Sequence, residues 1–282
     1  MSKLAARIHG FAQRQAADLF FRRPLTIASE RPIISFTFDD FPRSALSIGG
    51  RILGQAGLRA TYYASLGLMG KTSPTGTMFT LDDLRGAVEQ GHEIGCHTYD
   101  HCDSWMTPSA AFVRSIAANR VAFRQAIPSG EFRSFSYPIR PPRPWSKRAA
   151  GESFACCRGS GQTFNAGKSD LNNLRACFLE QTAGDGVFVQ QLIDGNREAR
   201  GWLIFATHDV DNRHTRFGCT PAFFEDVVSR AMSSGAAILP VAEALELVRE
   251  TAQYAVLAKT SLPSQNRGVS DARTAEIGPL LR

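Results

Sequence analysis

Two short apolar runs, each ending in a pair of polar residues, constrain the fold more than any other feature. The run PIISFTF leads directly to Asp39 and Asp40, and the run WLIFAT leads to His208 and Asp209. Runs this short and this rich in β-branched and aromatic residues are typical of strands buried on both faces of a mainly parallel sheet. Because strand-like and helix-like segments alternate over residues 32–250, we predict a barrel-like α/β fold.

The remaining elements follow from hydrophobic spacing and from helix-start signals. Thr80 and Asp83 form a variant of the capping box, which predicts a helix beginning at Thr80. The tract 138–144 contains four prolines and is predicted to be an irregular loop. Further strands are predicted at 59–64, 91–96, 132–137 and 236–240, and further helices at 4–20, 47–56, 109–127, 221–233 and 241–250.

Length and composition favour one α/β domain with two terminal extensions. The chain has 282 residues, of which 43% are hydrophobic and 21% charged, which is ordinary for a globular protein. We predict a domain over residues 32–250, preceded by an amphipathic helix and linker over 1–31. A polar, flexible tail is predicted over 251–282.

Charge, cysteine use and the N-terminal residues bear on partners and location. The net charge of +6 is spread along the chain without a nucleic-acid-binding motif, so no nucleic-acid partner is predicted. None of the six cysteines forms a CxxC pair, and reduced, packed thiols are expected. The N-terminal residues do not resemble a secretory signal, and a cytoplasmic location is therefore expected.

The helix predicted at 4–20 has apolar residues at helical spacing with basic residues between them. Its ordinary interpretation is that the apolar face packs on the body of the domain. The alternative is a weak peripheral contact with a membrane surface through an interfacial helix.

Three polar clusters come directly after predicted strands. They are Asp39-Asp40, the segment HTYDH at 97–101, and His208-Asp209. Because the carboxyl ends of parallel strands gather at one face, residues far apart in sequence can meet there.

The spacing of His97 and His101 lets both imidazoles point to one spot, although an HxxxH pattern alone is weak evidence and is as often structural. First-row metals such as zinc accept imidazole nitrogen and often take a carboxylate as the third ligand. A consistent assignment makes Asp40 that ligand and Asp39 the general base. The alternative is that the two aspartates cap a helix or a turn. His208 fits a general acid, which Asp209 could orient unless it only caps the following turn.

At these positions the sequence resembles the NodB-homology polysaccharide deacetylases, carbohydrate esterase family 4. The family motif TFDDG corresponds to residues 37–41, with Phe41 in place of the usual glycine. The motif H(S/T)xxH is present at 97–101. The segment FSYPIR at 135–140 resembles the third motif, FAYPYG, and FATHD at 205–209 resembles the late histidine motif.

The resemblance implies a distorted (β/α)7-type barrel with a metal site at the strand ends. It implies Asp39 as the catalytic base, His208 as the acid, and Asp40, His97 and His101 as the metal ligands. In the family an arginine of the third motif often supports the catalytic aspartate.

In this chain Ser136 occupies the position of that arginine, which the FAYPYG branch of the family also lacks. The backbone N–H at the Ile139 position is implied to help hold the developing oxyanion. The stretch around Arg175 resembles the LPR-like segment that brings a basic group to the cleft. The residues predicted to contact substrate are Tyr137, Pro138, Ile139 and Arg175.

The predicted activity is metal-dependent removal of N-acetyl groups, with O-acetyl as an alternative, from an amino-sugar oligosaccharide, polysaccharide or precursor. Zinc is the first choice of metal, and cobalt, nickel and manganese can use the same ligands. Two other functions are considered: hydrolysis of a non-sugar amide, and metal-containing glycan binding without catalysis. Retention of Asp39 and His208 counts against the second of these, because a binding protein does not require them.

Overall fold

The computed structural model describes residues 3–27 and 29–260, with side chains described for 7–27 and 29–253. The strands are β1 (Pro24–Ile27), β2 (Ile33–Asp39), β3 (Thr61–Ala64), β4 (Thr72–Ser73), β5 (Gly76–Thr77), β6 (Glu93–Cys96), β7 (Ser134–Ser136), β8 (Cys156–Arg158), β9 (Gly167–Asp170), β10 (Cys177–Phe178), β11 (Trp202–Thr207) and β12 (Ala237–Ile238). The α-helices are α1 (Lys3–Leu19), α2 (Arg51–Gln55), α3 (Leu81–Glu89), α4 (Ser109–Ala126), α5 (Pro144–Ser153), α6 (Gly186–Ala199), α7 (Pro221–Ser233) and α8 (Val241–Thr260).

Seven strands form one curled parallel sheet in the order β10-β11-β2-β3-β6-β7-β8. The strand β2 lies near its centre and pairs along its whole length with β11, so that Phe38 lies beside Thr207. The next residues along these two strands, Asp39 and His208, therefore emerge at the same edge of the sheet. This arrangement confirms the predicted distorted (β/α)7-type barrel.

The side chains of β11 alternate between two apolar clusters. Leu203 and Phe205 belong to the larger cluster, whereas Trp202 and Ile204 belong to a second cluster that includes Leu245 of α8. Both faces of the strand are thus covered, which explains why its sequence is apolar without a period of two.

The predicted elements of the first half and the last third of the chain are confirmed. The capping box at Thr80 is present, with its hydroxyl accepting from the Asp83 amide and the Asp83 carboxylate accepting from the Thr80 amide. Helix α7 has the predicted bounds. Helix α8 continues to Thr260, beyond the predicted end at residue 250, so the predicted tail begins inside this helix.

The segment between α5 and β11 contains four of the elements that the sequence pattern does not predict, the others being β1, β4, β5 and α5. The strands β8, β9 and β10 and the helix α6 all lie there, and β9 pairs antiparallel with β1 in the region predicted as an N-terminal linker. Their strands have two to four residues, too few to show a hydrophobic period. Residues 261–282 of the predicted tail lie outside the described residues, and the division of the chain into domain and extensions stays a prediction.

No helix among the described residues is both long enough and apolar enough to cross a membrane.

Candidate metal centre and catalytic cleft

The five residues predicted as metal ligands and catalytic groups line one cleft at the carboxyl ends of the sheet strands. The cleft has a volume of about 540 Å³. Asp39 ends β2, His97 follows β6, and His208 follows β11. The convergence expected from parallel strands therefore occurs, and the residues that meet are Asp39, Asp40, His97, His101 and His208.

Asp40, His97 and His101 form a compact group of ligand atoms. Oδ1 of Asp40 lies 3.4 Å from Nε2 of His97 and 3.0 Å from Nε2 of His101. All the ligand atoms of this group lie within 4.8 Å of one another. The carboxylate of Asp40 is buried, and its Oδ1 makes no hydrogen bond with the described residues.

Neighbouring groups orient two of these ligands. Nδ1 of His97 donates to the carbonyl oxygen of Ser136 at 2.8 Å, which leaves the Nε2 lone pair directed at Asp40. Oδ2 of Asp40 accepts from the Thr75 hydroxyl at 2.8 Å, so only Oδ1 is left to bind another group. Ser136 thus contributes its backbone to the site, although its side chain cannot replace the family's arginine.

The charges of the group are suited to a bound cation. Burial alone would raise the pKa of Asp40, but the neighbouring His101 and His97 imidazoles hold it well below its usual value. Burial alone would lower the pKa of His101, but the neighbouring Asp40 carboxylate has the larger effect and raises the pKa of His101 above its usual value. A buried, ionised carboxylate oxygen between two imidazole nitrogens fits zinc and the other first-row divalent ions.

Asp39 is held by an arginine from β8, the strand at one end of the sheet order. Its Oδ1 pairs with Nη2 of Arg158, the last residue of β8. Both side chains are almost fully buried, and the guanidinium carbon of Arg158 lies 5.0 Å from the ring centre of Tyr63 and 5.1 Å from that of Phe178. A bound guanidinium fixes the position of the Asp39 carboxylate.

Arg158 is a site residue that the sequence reasoning missed. The resemblance places the supporting arginine in the third motif, at Ser136, whereas the structure supplies one from the next strand in the sheet. The signal available in the sequence was weak: Arg158 follows the apolar pair Cys156-Cys157, as a polar residue at a strand end would.

His208 presents one nitrogen to the cleft. Its Nδ1 donates to the carbonyl oxygen of Phe217 at 3.1 Å and lies 3.8 Å from Oε1 of Glu180. Nε2 is therefore the nitrogen left to exchange a proton with a substrate. Asp209 does not orient this ring, because its carboxylate accepts from the amide of Thr215 at 2.6 Å and from the hydroxyl at 2.7 Å.

Glu180, a second residue missed from the sequence, lies in a short 3-10 helix directly after β10. Burial raises the pKa of its carboxyl to about 8, and the negative charge of Asp39 adds to the effect. Its Oε2 is buried and makes no hydrogen bond with the described residues. At neutral pH Glu180 is therefore a protonated acid beside the His208 ring.

Several residues of the cleft have backbone conformations that are unfavourable for their side chains. Asp40, Phe41, His101 and Ile139 have φ values of +62°, +60°, +52° and +67°. For the β-branched Ile139 and the bulky Phe41 this left-handed conformation is strained. The ring of Phe41 is fully buried, with its centre 4.6 Å from that of Tyr62 and 4.7 Å from that of Phe79.

The predicted substrate contacts are only partly brought together. Tyr137 and Ile139 line the cleft, with the buried Pro138 between them. Arg175 is not brought to the cleft, and its guanidinium instead pairs with Asp18 of α1 at 2.8 Å. The physical reason is that Arg175 precedes β10 on the side of the sheet where α1 packs. The basic group predicted from the LPR-like segment is therefore absent from the cleft lining.

The sequence matches the family model described as polysaccharide deacetylase over residues 27–148, a segment that includes the first three motifs. This match, over the residues that carry the first three motifs, supports the resemblance to the NodB-homology polysaccharide deacetylases. No curated protein matches the sequence.

Solved structures of this deacetylase family share the fold. The chitin deacetylase of the fungal pathogen Colletotrichum lindemuthianum matches with a TM-score of 0.54 and 17% identity, over 77% of this chain and 89% of that one. A family 4 acetyl xylan esterase from Clostridium thermocellum, in complex with a cobalt ion, matches with a TM-score of 0.53 and 19% identity, over 76% and 91%. A family 4 pseudoenzyme from Bacillus anthracis matches with a TM-score of 0.52 and 12% identity, over 78% and 70%.

Because a pseudoenzyme shares this fold, the fold alone does not establish activity. What the chain can do depends on the residues of its own cleft.

Proposed function

We propose that the protein is a metal-dependent deacetylase that removes N-acetyl groups from an amino-sugar oligosaccharide, polysaccharide or precursor. The observation that carries the proposal is the free Oδ1 of Asp40, buried between two imidazole nitrogens in the cleft that also contains Asp39 and His208. Asp40, His97 and His101 would hold the metal ion. A divalent ion in such a site supplies Lewis acidity and lowers the pKa of water toward about 7.

Asp39 is the group that would take the proton from the attacking water. Its Oδ1 is committed to Arg158, which leaves Oδ2 to accept the proton. The Arg158 guanidinium holds the carboxylate in position and prevents its rotation.

His208 would donate a proton to the departing nitrogen. An amine leaves an amide far more easily when it is protonated, and Nε2 of His208 is positioned for this because Nδ1 is held by the Phe217 carbonyl. The neutral Glu180 beside it adds no negative charge at the ring at neutral pH. Ile139 lines the same cleft, and its backbone N–H would help to hold the developing oxyanion.

The direct test is mass spectrometry of acetylated substrates after incubation with protein loaded with zinc or cobalt. N-acetylglucosamine oligomers, acetylated xylan oligomers and small non-sugar amides are compared. Loss of one acetyl mass from the amino-sugar oligomers alone is the expected result. Turnover of the small amides alone would support the non-sugar amidohydrolase instead.

Asp39→Asn separates catalysis from metal binding. Turnover is expected to fall by about 10²- to 10⁴-fold, whereas the bound metal content stays the same because the three ligands remain. Unchanged turnover in this variant would refute the role of Asp39. If the wild-type protein binds metal and glycan but releases no acetyl group from any substrate, the protein is a non-catalytic relative.

The cytoplasmic location predicted from the sequence is also part of this proposal. It would make soluble or lipid-linked precursors the accessible substrates.

A further inference from the structure

Helix α1 turns its large apolar side chains away from the body of the protein. Phe11 lies three residues after Ile8, and Leu19 lies eight residues after Phe11. This spacing places all three side chains on one face of the helix. Their exposed fractions are 61%, 58% and 69%. A surface helix ordinarily buries this face, so α1 has the reverse orientation.

The face of α1 that does contact the body carries small and polar residues. Gln13 and Ala17 are buried there. The amide of Gln13 is 2.9 Å from Nε2 of His9 on the same helix. The expectation that the apolar face packs on the domain is therefore wrong for the described part of α1.

Polar contacts hold the helix in this orientation. The buried ammonium of Lys147 donates to the carbonyl oxygens of Ala17 and Phe20, at 2.5 Å and 2.8 Å, and pairs with Asp170 at 2.6 Å. A cation at these last carbonyls also complements the helix dipole. Asp18 pairs with Arg175, which fixes the rotation of the helix about its axis.

The exposed apolar surface continues past the end of α1. Phe20 is 53% exposed, and the neighbouring Phe21 ring lies 5.3 Å from the ring of Trp145, which is 55% exposed. We call this surface the apolar platform, and its members are Ile8, Phe11, Leu19, Phe20 and Trp145.

Basic side chains surround the apolar platform. Arg7 and Arg14 are exposed on α1 and lie together on one flank of its apolar stripe. Arg143 lines the shallow groove that also contains Trp145, where Arg148 is paired with Glu152 at 2.8 Å. The acidic side chain described on α1 is Asp18, and its charge is already paired with Arg175.

We propose that the apolar platform docks on an anionic lipid surface, with α1 lying in the plane of the interface. Aliphatic and aromatic side chains flanked by arginines are the composition of an interfacial helix, in which the apolar face enters the lipid and the cations meet the headgroups. A second copy of the chain is a poorer occupant, because stacking two stripes would bring the unpaired arginines of both copies together. The proposal does not depend on the deacetylase activity.

Co-sedimentation with lipid vesicles tests the docking. The full-length protein is mixed with vesicles of phosphatidylcholine alone and of phosphatidylcholine with phosphatidylglycerol. Binding to the anionic vesicles is expected, with little binding to the neutral ones and a decrease at high salt. In the double variant Phe11→Gln, Leu19→Gln the partition coefficient is expected to fall by about 100-fold, roughly tenfold for each apolar side chain removed.

Val187→Gln is the matched control, since Val187 is 68% exposed on α6 and outside the platform. It should change vesicle binding by less than about twofold, the size of an ordinary surface substitution. Arg7→Gln with Arg14→Gln should weaken binding to anionic vesicles by about fivefold for each arginine. Acetyl release from a soluble substrate should be unchanged in all these variants, which separates this test from that of the proposed function.

Two results would overturn the proposal. One is a wild-type protein that stays in the supernatant with both kinds of vesicle. The other is a dimer, detected by light scattering, that becomes monomeric in the Phe11→Gln, Leu19→Gln variant, which would identify a second copy as the occupant.

Discussion

The two halves of the cleft are built in different ways. The metal half takes its ligands from two strand ends, and its orienting groups are the Ser136 carbonyl and the Thr75 hydroxyl. The proton-transfer half takes Asp39 and His208 from the adjacent strands β2 and β11, but Arg158 and Glu180 beside them come from the segment between α5 and β11. The ligands of the first half therefore lie in short motifs, whereas the second half depends on two residues that belong to no motif.

The largest effect is expected from breaking the metal half. His101→Ala removes one of three ligands, and we expect acetyl release to fall on the order of 10⁴-fold, at least as much as loss of a general base. Metal content measured by mass spectrometry should fall in parallel. His214→Ala is the control, because His214 is exposed and outside the cleft lining, and it should leave both quantities unchanged.

A smaller but still large effect is expected from breaking the proton-transfer half at Arg158. Arg158→Met leaves the Asp39 carboxylate buried without its partner, which should lower the free energy of unfolding by about 3 to 5 kcal/mol. Turnover should fall by about 10²-fold with metal content unchanged, because the base loses its fixed position. Chemical denaturation and metal analysis on the same preparation check the two parts.

A double-mutant cycle shows whether Arg158 acts through Asp39. In the Asp39→Asn background the further change Arg158→Met should cost little additional activity, because the base is already lost. If the losses of turnover from the two substitutions are fully additive, Arg158 does not act through Asp39. Arg158 would then not belong to the proton-transfer half.

The pH dependence of the free energy of unfolding tests the state of Glu180 in the proton-transfer half. The pKa of its carboxyl is about 8 in the folded protein, against 4.5 ordinarily, so the folded state keeps a proton that the unfolded chain releases. The free energy of unfolding should therefore fall as pH rises from about 4.5 to about 8, by up to about 5 kcal/mol.

Glu180→Gln should remove that fall, as measured by denaturation at about pH 3.5 and about pH 9, roughly a unit outside each pKa. The exposed Glu225→Gln on α7 is the matched control and should follow the wild-type profile. A Glu180→Gln protein whose stability still falls as in the wild type would show that another group is responsible.

The smallest effect is expected at Arg175. Arg175→Ala removes a partly exposed ion pair with Asp18, which should cost at most about 1 kcal/mol of stability. Turnover should change by less than about twofold. A large rise in KM would instead restore Arg175 to the substrate contacts that the family resemblance implies.

The accuracy of the sequence-based predictions follows the same division. The runs before Asp39 and His208 predict β2 and β11, because burial of both strand faces leaves an unbroken apolar pattern. His97 and His101 are identifiable because the two ligands lie four residues apart. In these places the information is local, and the structure follows it.

Arg158 and Glu180 could not be predicted in this way. Each follows a strand of two or three residues, too short for any pattern, and each acquires its role only when the sheet brings it beside Asp39 or His208. Helix α1 was predicted correctly as an amphipathic helix, but its orientation depends on the buried Lys147, which nothing in the helix itself indicates.

At position 41 the strain of the backbone and the packing of the phenylalanine ring favour different residues. The family's glycine suits the left-handed backbone at that position, and a return to glycine would relieve about 1 to 2 kcal/mol. It would also empty the space between Tyr62 and Phe79, at about 3 to 5 kcal/mol for a lost phenyl ring. A single Phe41→Gly substitution is thus expected to destabilise the protein, because Tyr62 and Phe79 pack against the ring that it removes.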